Sequence, residues 1–276
     1  MSTAIFLPQK VAIFLPSLNG GGAERVIVTL ANAFAARGFQ VDLVLATAKG
    51  PYLKDVSAAV RVVDLQAGRV IKALFPLVRY LRRERPVAML SAMGHANVVA
   101  LLARKLGRVP VRVVASERGL ISGEYAIAQG LVAHLNYLLI KLLYATADGV
   151  CAVSQTAATD LAAFVRLPNN RVQALYNPFD LKHIAQLAQA PLDHPWFAPE
   201  QPPVVLGIGR LNEAKDFTVL IRAFAKLRQR RKVRLVILGE GELRADLEAL
   251  LRELGLDADA VQMPGFVDNP YAWLSR

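Results

Sequence analysis

Short apolar runs alternate along the chain with longer stretches in which apolar residues recur every three to four positions. The runs are rich in β-branched and aliphatic residues, which predicts strands, and the longer stretches have the period of amphipathic helices. Strands separated by single helices form parallel sheets with right-handed crossovers. The pattern therefore predicts an α/β fold, with strands at 10–16, 41–46, 60–65, 87–91, 111–116, 149–153, 171–175, 204–209, 233–239 and 260–263, and helices at 23–37, 69–85, 96–106, 124–146, 154–165, 216–231, 242–254 and 271–276.

The alternation is interrupted at 190–203, where five prolines fall within fourteen residues. Such a stretch is typical of a linker or an irregular surface segment. We therefore predict two doubly wound, Rossmann-like lobes at 1–180 and 204–276, joined by a linker at 181–203. The second lobe has only about three strands, and a three-stranded open sheet leaves an exposed edge and an uncovered apolar face. The second lobe is accordingly predicted to be incomplete.

Composition excludes several classes of protein. The 276 residues are 54% hydrophobic and 20% charged, which is a globular profile and not a disordered one. The single cysteine, Cys151, excludes a disulfide framework and favours a reducing compartment. The longest apolar stretch, 131–147, contains His134, Asn136 and Lys141, and the start of the chain lacks a basic segment and a cleavage site. We expect a cytoplasmic protein without a signal peptide or a membrane-spanning helix.

Positive charge is concentrated in one part of the chain. The net charge is +11, and residues 68–112 contain ten basic residues against one acid, Glu84. Such a surface attracts membrane lipids, nucleic acid or phosphorylated substrates. The apolar and basic residues of 70–85 suit either a helix lying on an anionic membrane or a packing helix with solvated arginines. Nucleic acid is not expected as a partner, because no nucleic-acid-binding motif is present.

Glycines and a histidine mark two candidate loops in the first lobe. Gly21 and Gly22 lie between the first strand and the first helix, where backbone N–H groups and the helix dipole favour an anion. Neither the dinucleotide nor the Walker spacing is present, and a simple tight turn is the alternative. His95 follows the fourth strand, at the carboxyl end where open α/β sheets bind ligands, and a neutral histidine there can share or shuttle a proton. Its alternative is a helix residue without a catalytic role.

Cations and glycines mark the second lobe. Arg210 and Lys215 follow its first strand, where a guanidinium fork and a point charge can converge on a diphosphate. Two solvated surface cations are the alternative. The segments 239–241 (Gly-Glu-Gly) and 264–267 (Pro-Gly-Phe-Val) follow the next two strands and could border a nucleotide or form plain turns.

Taken together, these motifs resemble the family-four retaining glycosyltransferases, which have the two-lobed glycosyltransferase-B fold. The resemblance covers nearly the whole chain. The matching stretches are 11–24 (VAIFLPSLNGGGAE), 95–97 (HAN), 115–119 (ASERG), 176–178 (YNP), 207–216 (GIGRLNEAKD), 233–241 (VRLVILGEG) and 264–267 (PGFV).

The resemblance implies a hexosyltransferase-type enzyme that moves a sugar from a UDP- or GDP-sugar to a glycan or to a polyprenyl- or lipid-linked acceptor, with retention of configuration. It implies no metal and no cofactor beyond the donor, and it suits polysaccharide, lipopolysaccharide or capsule biosynthesis at the inner face of the plasma membrane. The first lobe would bind the acceptor and the second the nucleotide-sugar. The implied roles are catalysis for His95; diphosphate binding for Arg210, Lys215, Gly21 and Gly22; the nucleobase border for Gly265, Phe266 and Val267; and the acceptor side for Glu117 and Arg118.

One departure from the family pattern bears on activity. The family's second lobe continues with a helix that carries two glutamates separated by seven residues, and no residue of this sequence matches them. We therefore expect a truncated sequence. Two alternatives stay open: a fragment deficient in catalysis, and a nucleotide-sugar epimerase on the same fold.

Overall fold

The computed structural model describes residues 9–19 and 21–276. The expected absence of a signal peptide concerns residues 1–8, and Gly20 belongs to the glycine-rich loop; both lie outside the described residues. The chain divides into two compact units, the first ending at Phe179 and the second spanning Asp180–Arg276.

The first unit is built on a parallel sheet of seven strands in the order β3-β2-β1-β4-β5-β6-β7. The order runs outward in both directions from β1 and β4, as in a doubly wound fold, and places a topological switch point between these strands. The strands are β1 (Lys10–Leu15), β2 (Gln40–Leu45), β3 (Val60–Asp64), β4 (Ala88–Ala92), β5 (Arg112–Glu117), β6 (Gly149–Ala152) and β7 (Val172–Ala174).

Helices cover both faces of this sheet, which explains why its central strands are apolar throughout. One core lies between the sheet and α2, α3, α5 and α6, and a smaller core lies under α1. The helices are α1 (Gly22–Ala36), α2 (Leu74–Glu84), α3 (Gly94–Gly107), α4 (Ile121–Ala126), α5 (Leu131–Leu143) and α6 (Gln155–Val165), with short 3-10 turns at Pro51–Asp55, Val70–Ala73, Tyr144–Thr146 and Asn169–Arg171.

The predicted helix 124–146 is in fact two helices, α4 and α5. Gly130 separates them with a φ of +82°, a left-handed conformation that favours glycine. No helix among the described residues is both long and apolar enough to cross a bilayer.

The basic segment 70–85 packs against the protein. Leu77 and Leu81 of α2 are buried in the larger core, so the apolar side of this helix is used for packing. The outward side nevertheless carries Ile71 and Phe75, which are 60% and 73% exposed, close in sequence to Lys72 and Arg79, whose side chains are also exposed.

The second unit contains a parallel sheet of three strands in the order β10-β9-β8. Its larger core lies between the sheet and α8 and α9. The elements are α7 (Leu181–Ala188), a 3-10 turn at Pro195–Phe197, β8 (Val204–Ile208), a 3-10 turn at Glu213–Lys215, α8 (Phe217–Arg228), β9 (Arg234–Leu238), α9 (Arg244–Glu253), β10 (Val261–Gly265) and α10 (Pro270–Leu274).

The segment 181–203, expected to be a linker, folds as part of the second unit. Trp196 is only 6% exposed and packs in one cluster with Val236 and Leu238 of β9, together with Trp273. Asn269 also donates a hydrogen bond to the Leu187 carbonyl at 2.8 Å. The sheet face that the sequence left uncovered is therefore covered by aromatic side chains from both ends of this unit.

Candidate functional site

The carboxyl edge of the first sheet presents His95 at the start of a helix. The chain turns sharply after β4 at Met93, whose φ is +81°, and α3 begins at Gly94. The Met93 N–H donates to the Ser116 carbonyl at 3.1 Å, which ties this turn to the end of the neighbouring strand β5. His95 is exposed, and partial desolvation by the surrounding protein lowers its pKa below the ordinary value. Its imidazole is therefore neutral at pH 7 and able both to accept and to donate a hydrogen bond.

Glu117 and Arg118 lie on opposite faces of the sheet, because successive side chains of an extended strand point in opposite directions. Glu117 points toward the helices and is 4% exposed. Its carboxylate accepts hydrogen bonds from the Tyr144 hydroxyl and from Asn97 Nδ2. Burial raises the pKa of Glu117 to about 7. The two residues therefore do not line one surface together, and the acceptor-side role of each stays a prediction.

Arg118 borders a groove of about 400 Å³ on the α1 side of the sheet. Its Nη2 donates to Asn177 Oδ1 at 3.1 Å. The same groove is lined mainly by apolar side chains, among them Ile13, Leu90 and Val114. Arg118 thus places a charged guanidinium at the border of an otherwise apolar surface, where burial lowers its pKa.

The start of α1 contains an acid that the sequence analysis did not single out. Gly21 caps this helix, and a Cβ atom on Gly21 would lie 2.3 Å from Glu24 Oε2, so the Glu24 carboxylate lies directly over this glycine. Gly22 faces open space. The negative charge that a helix N-terminus favours is thus already supplied by the chain. An acidic residue in the first turn of a predicted helix is the sequence feature that could have identified Glu24. The predicted phosphate contacts of Gly21 and Gly22 stay predictions.

Two unpaired cations lie at the carboxyl edge of the second sheet. Arg210 and Lys215 are exposed, and within the described part of the chain neither side chain forms a hydrogen bond or an ion pair. A Cβ atom on Gly209 would lie 3.4 Å from Lys215 Cγ, so the lysine stem runs along the backbone immediately before Arg210. The structure therefore brings both predicted cations to one loop and leaves their charged ends open to a ligand.

Glycines allow the neighbouring loops to pack closely at this edge. Gly239 has a φ of +141°, and a Cβ atom there would lie 1.9 Å from the Gly209 oxygen. A Cβ atom on Gly241 would lie 2.3 Å from the Leu211 oxygen. The Leu211 N–H also donates to the Glu240 carbonyl at 3.0 Å. The loop that carries Arg210 is thus held against the loop after β9 by backbone contacts that no larger residue permits.

The third loop of this edge follows β10. Gly265 is buried with a φ of +92°, and its carbonyl accepts a hydrogen bond from the Gly239 N–H at 2.8 Å. Phe266 is 42% exposed, and Val267 packs against the cluster of Trp196. The three residues do lie at the predicted edge, and their contact with a nucleobase stays a prediction. The described residues include no cluster of three or more side chains suited to a metal ion.

Comparisons with known proteins agree with the order of these motifs. The family model described as Glycosyltransferase Family 4 matches residues 20–183, and the one described as Glycosyl transferases group 1 matches residues 191–276. A relative from Campylobacter jejuni is 31% identical over 97% of this chain and 72% of its own length. It is named N-acetylgalactosamine-N,N'-diacetylbacillosaminyl-diphospho-undecaprenol 4-alpha-N-acetylgalactosaminyltransferase. A lipopolysaccharide core biosynthesis glycosyltransferase of Rhizobium meliloti is 26% identical over 92% of this chain and 66% of its own length.

A solved structure supports the fold independently. The crystal structure of Anabaena HepE in complex with UDP and glucose matches with a TM-score of 0.73 and 20% identity, covering 96% of this chain and 71% of that one. The chain belongs to Glycosyltransferase Family 4 and is a glycosyltransferase with the two-lobed glycosyltransferase-B fold.

Proposed function

We propose that this glycosyltransferase moves a hexose from a UDP- or GDP-sugar to a glycan or lipid-linked acceptor, with the anomeric configuration retained. The Campylobacter relative supports the acceptor class, since its name specifies a glycan on undecaprenyl diphosphate. The Rhizobium relative supports a place in lipopolysaccharide or other polysaccharide biosynthesis.

The observation that carries the donor part of the proposal is the open pair of cations on one loop, Arg210 and Lys215. Breaking the sugar–phosphate bond leaves negative charge on the departing nucleoside diphosphate. A guanidinium fork binds two phosphate oxygens at once, and an ammonium adds a point charge. Such preorganised cations stabilise charge as it develops. They supply the positive charge that a metal ion supplies in other transferases, so we propose a reaction that needs no metal.

The remaining predicted residues complete the proposal. The neutral imidazole of His95 is suited to a hydrogen bond with the transferred sugar near its reacting carbon. Gly21 and Gly22 let the backbone approach the donor, and residues 265–267 border the nucleobase. Arg118 is proposed for the acceptor side, since its guanidinium lies at the border of a groove in the first unit.

Surface chemistry supports a further part of the proposal, peripheral binding to an anionic membrane. Exposed Ile71 and Phe75 lie within a few residues of exposed Lys72 and Arg79. A second exposed apolar stripe runs along α5 at a spacing of three and four residues, which places its members on one helix face. It consists of Leu131, Leu135, Leu138 and Leu142, all more than half exposed. Apolar side chains with nearby basic ones suit the interface of a bilayer with anionic lipid.

Titration calorimetry with UDP and GDP tests the donor site. We expect heat with one of the nucleotides, and we expect Arg210→Ala and Lys215→Ala each to weaken binding roughly 10- to 100-fold, the usual loss for one charge-assisted hydrogen bond. Arg231→Ala and Lys232→Ala are matched controls, because these exposed residues follow α8, at the amino edge of the same sheet. Absence of heat with both nucleotides would support the alternative of a binding-deficient fragment.

Product analysis with a labelled nucleotide-sugar and a polyprenyl-diphosphate glycan tests the reaction. We expect label on the acceptor, an anomeric coupling constant that matches the donor, and no loss of activity in a metal chelator. Free epimerised sugar without an acceptor adduct would contradict transfer and support the epimerase alternative.

A further inference from the structure

A buried polar cluster lies directly beneath the turn that carries His95. Asn97, in the first turn of α3, donates through Nδ2 to the Ser116 carbonyl at 3.0 Å and lies 2.8 Å from the Tyr144 hydroxyl. The Tyr144 hydroxyl in turn donates to Glu117. Tyr144 and Asn97 are fully buried, and Glu117 is nearly so. Burying polar groups is costly unless they are hydrogen-bonded, and in this cluster only Asn97 Oδ1 has no partner among the described residues.

The cluster is in direct contact with the backbone beside His95. A Cβ atom on Gly94 would lie 3.2 Å from Glu117 Oε1 and 2.9 Å from Ile140 Cδ1, so the backbone at residue 94 rests on the carboxylate and on α5. The preceding residue, Met93, has a left-handed φ of +81°, a strained conformation for a side chain of this type. Strained backbone persists only where its surroundings hold it in place. Glu117, Asn97 and the Met93 hydrogen bond to Ser116 are the groups that do so here.

We propose that Glu117 is a positioning residue that holds the Met93–His95 turn through the buried cluster with Asn97 and Tyr144, and so sets the direction of the His95 imidazole. This inference rests on the proposed role of His95 and assigns Glu117 a function different from contact with the acceptor. Its buried side chain faces the helices, away from the groove that Arg118 borders.

The donors around Glu117 indicate which protonation state the cluster suits. The Tyr144 hydroxyl, the Asn97 amide and the Arg118 backbone N–H all donate to it, and each stabilises the carboxylate form. Burial and the negative charge of Glu124 on α4 oppose ionisation and raise the pKa to about 7. Tyr137 on α5 and Cys151 on β6 also lie near it; burial raises the pKa of both, and the negative charge of Glu117 adds to the rise. The hydrogen bonds from these donors to Glu117 are therefore strongest above about pH 7, when Glu117 is ionised, although the buried charge then lowers the stability of the fold.

Histidine-labelled NMR of the full chain tests this proposal without any assay of activity. We expect Glu117→Ala to move the His95 ring resonances. Glu117→Gln should restore them in part, because its amide oxygen can still accept from Tyr144 but carries no charge. Tyr144→Phe removes one hydroxyl with little change of shape, and should move His95 even if Glu117→Ala fails to fold. Tyr137→Phe is the matched control, since it removes a hydroxyl from α5, the helix that precedes Tyr144, and lies outside the hydrogen-bonded cluster.

Kinetics give a second, separable result if transfer is observed. A displaced His95 should lower kcat roughly tenfold or more in Glu117→Ala, with the donor and acceptor KM nearly unchanged. The kcat of the wild type should fall below about pH 7, and Glu117→Gln, whose neutral amide corresponds to the protonated acid, should keep the lower kcat at every pH. Unmoved His95 resonances in both Glu117→Ala and Tyr144→Phe would overturn the proposal, as would a raised acceptor KM with His95 in place. If no transfer occurs, the function proposed above fails while the NMR result still decides the role of Glu117.

Discussion

Glu117 ends β5 and Arg118 follows it, and their side chains lie in different surroundings because extended backbone alternates its side chains between two faces. Glu117 lies among the helices, and Arg118 lies at a groove on the other face. The sequence motif alone suggests that both residues line one site. The alternation of side chains along extended backbone instead places them on opposite faces of the sheet. The burial of Glu117 also changes its ionisation, because burial raises the pKa of its carboxyl to about 7.

That raised pKa makes stability depend on pH. Native Glu117 holds its proton up to about pH 7, whereas in the unfolded chain it ionises near 4.5, so the folded state binds more protons between these values. The stabilising contribution is full below pH 4.5 and is lost as the pH rises through 7. At about 1.4 kcal/mol per pH unit, the loss amounts to at most about 3 kcal/mol.

Glu117→Gln should therefore unfold with a free energy that is less dependent on pH than that of the wild type between pH 4.5 and 7. Hydrogen exchange of peptides from β1 and β5 measures this, because both tryptophans, Trp196 and Trp273, lie in the second unit and fluorescence would not report on the first. Glu253→Gln, at an exposed position on α9, is the control. Parallel pH dependence in the wild type and Glu117→Gln would contradict the raised pKa.

Backbone contact makes Gly239 the most restrictive glycine of the second unit. Gly239→Ala combines an unfavourable positive φ with a Cβ atom 1.9 Å from a backbone oxygen. We expect a loss of roughly 3 kcal/mol or more in the unfolding free energy of this unit. Gly255→Ala is the control, because it has a φ of +64° with open space around it, and strain alone costs about 1–2 kcal/mol. Urea unfolding followed by tryptophan fluorescence measures both; equal losses would show that the contact with Gly209 carries no cost.

At the scale of elements, periodicity located the ten strands of the described residues to within a few positions, because buried parallel strands are continuous apolar runs. Boundaries that depend on a single backbone angle were missed, as at Gly130 between α4 and α5. The sequence also placed Arg210 and Lys215 at the carboxyl end of a strand, where ligand sites occur, and their contact with a diphosphate stays a prediction. The Glu117 cluster was not, because its members are far apart in sequence and meet only through packing.

Proline content misled the interpretation of 181–203. Prolines fix an irregular path, but they do not decide whether the side chains along it are buried. Trp196 lies in this segment and covers β9, with the guanidinium of Arg234 4.8 Å from its ring centre. The apolar face of two strands has to be covered, and hydrophobic periodicity does not identify the segment that covers it.

Trp196→Ala distinguishes a folded segment from a linker. Removing a buried aromatic side chain should cost about 3–5 kcal/mol of the unfolding free energy of the second unit, measured by the fluorescence of Trp273. A linker residue would change stability by less than about 0.5 kcal/mol. Hydrogen exchange in the core of the first unit should stay unchanged, since the two units have separate cores. A small effect in the second unit would contradict the packing of Trp196.

At the scale of the molecule, charge is distributed unevenly between units with similar folds. Residues 1–179 contain 20 basic and 9 acidic residues, whereas 180–276 contain 13 of each. Uneven charge of this kind acts on association with anionic surfaces and not on the fold. The exposed apolar side chain of Phe75 lies within a few residues of the exposed Lys72 and Arg79, so electrostatic attraction and apolar insertion would act at the same segment.

Vesicle sedimentation separates these two contributions. We expect binding to vesicles with anionic lipid, weak binding to neutral vesicles, and loss of binding as salt shortens the screening length. Each basic residue near the surface contributes about 1 kcal/mol, so the double change Lys72→Gln and Arg79→Gln should weaken binding roughly 30-fold.

Phe75→Ser should weaken binding to anionic vesicles with little change in the salt dependence, because it removes insertion and leaves charge intact. Arg230→Gln with Arg231→Gln removes equal charge from the second unit and should have little effect. Equal binding to neutral and anionic vesicles would show that the basic surface serves some purpose other than membrane attachment.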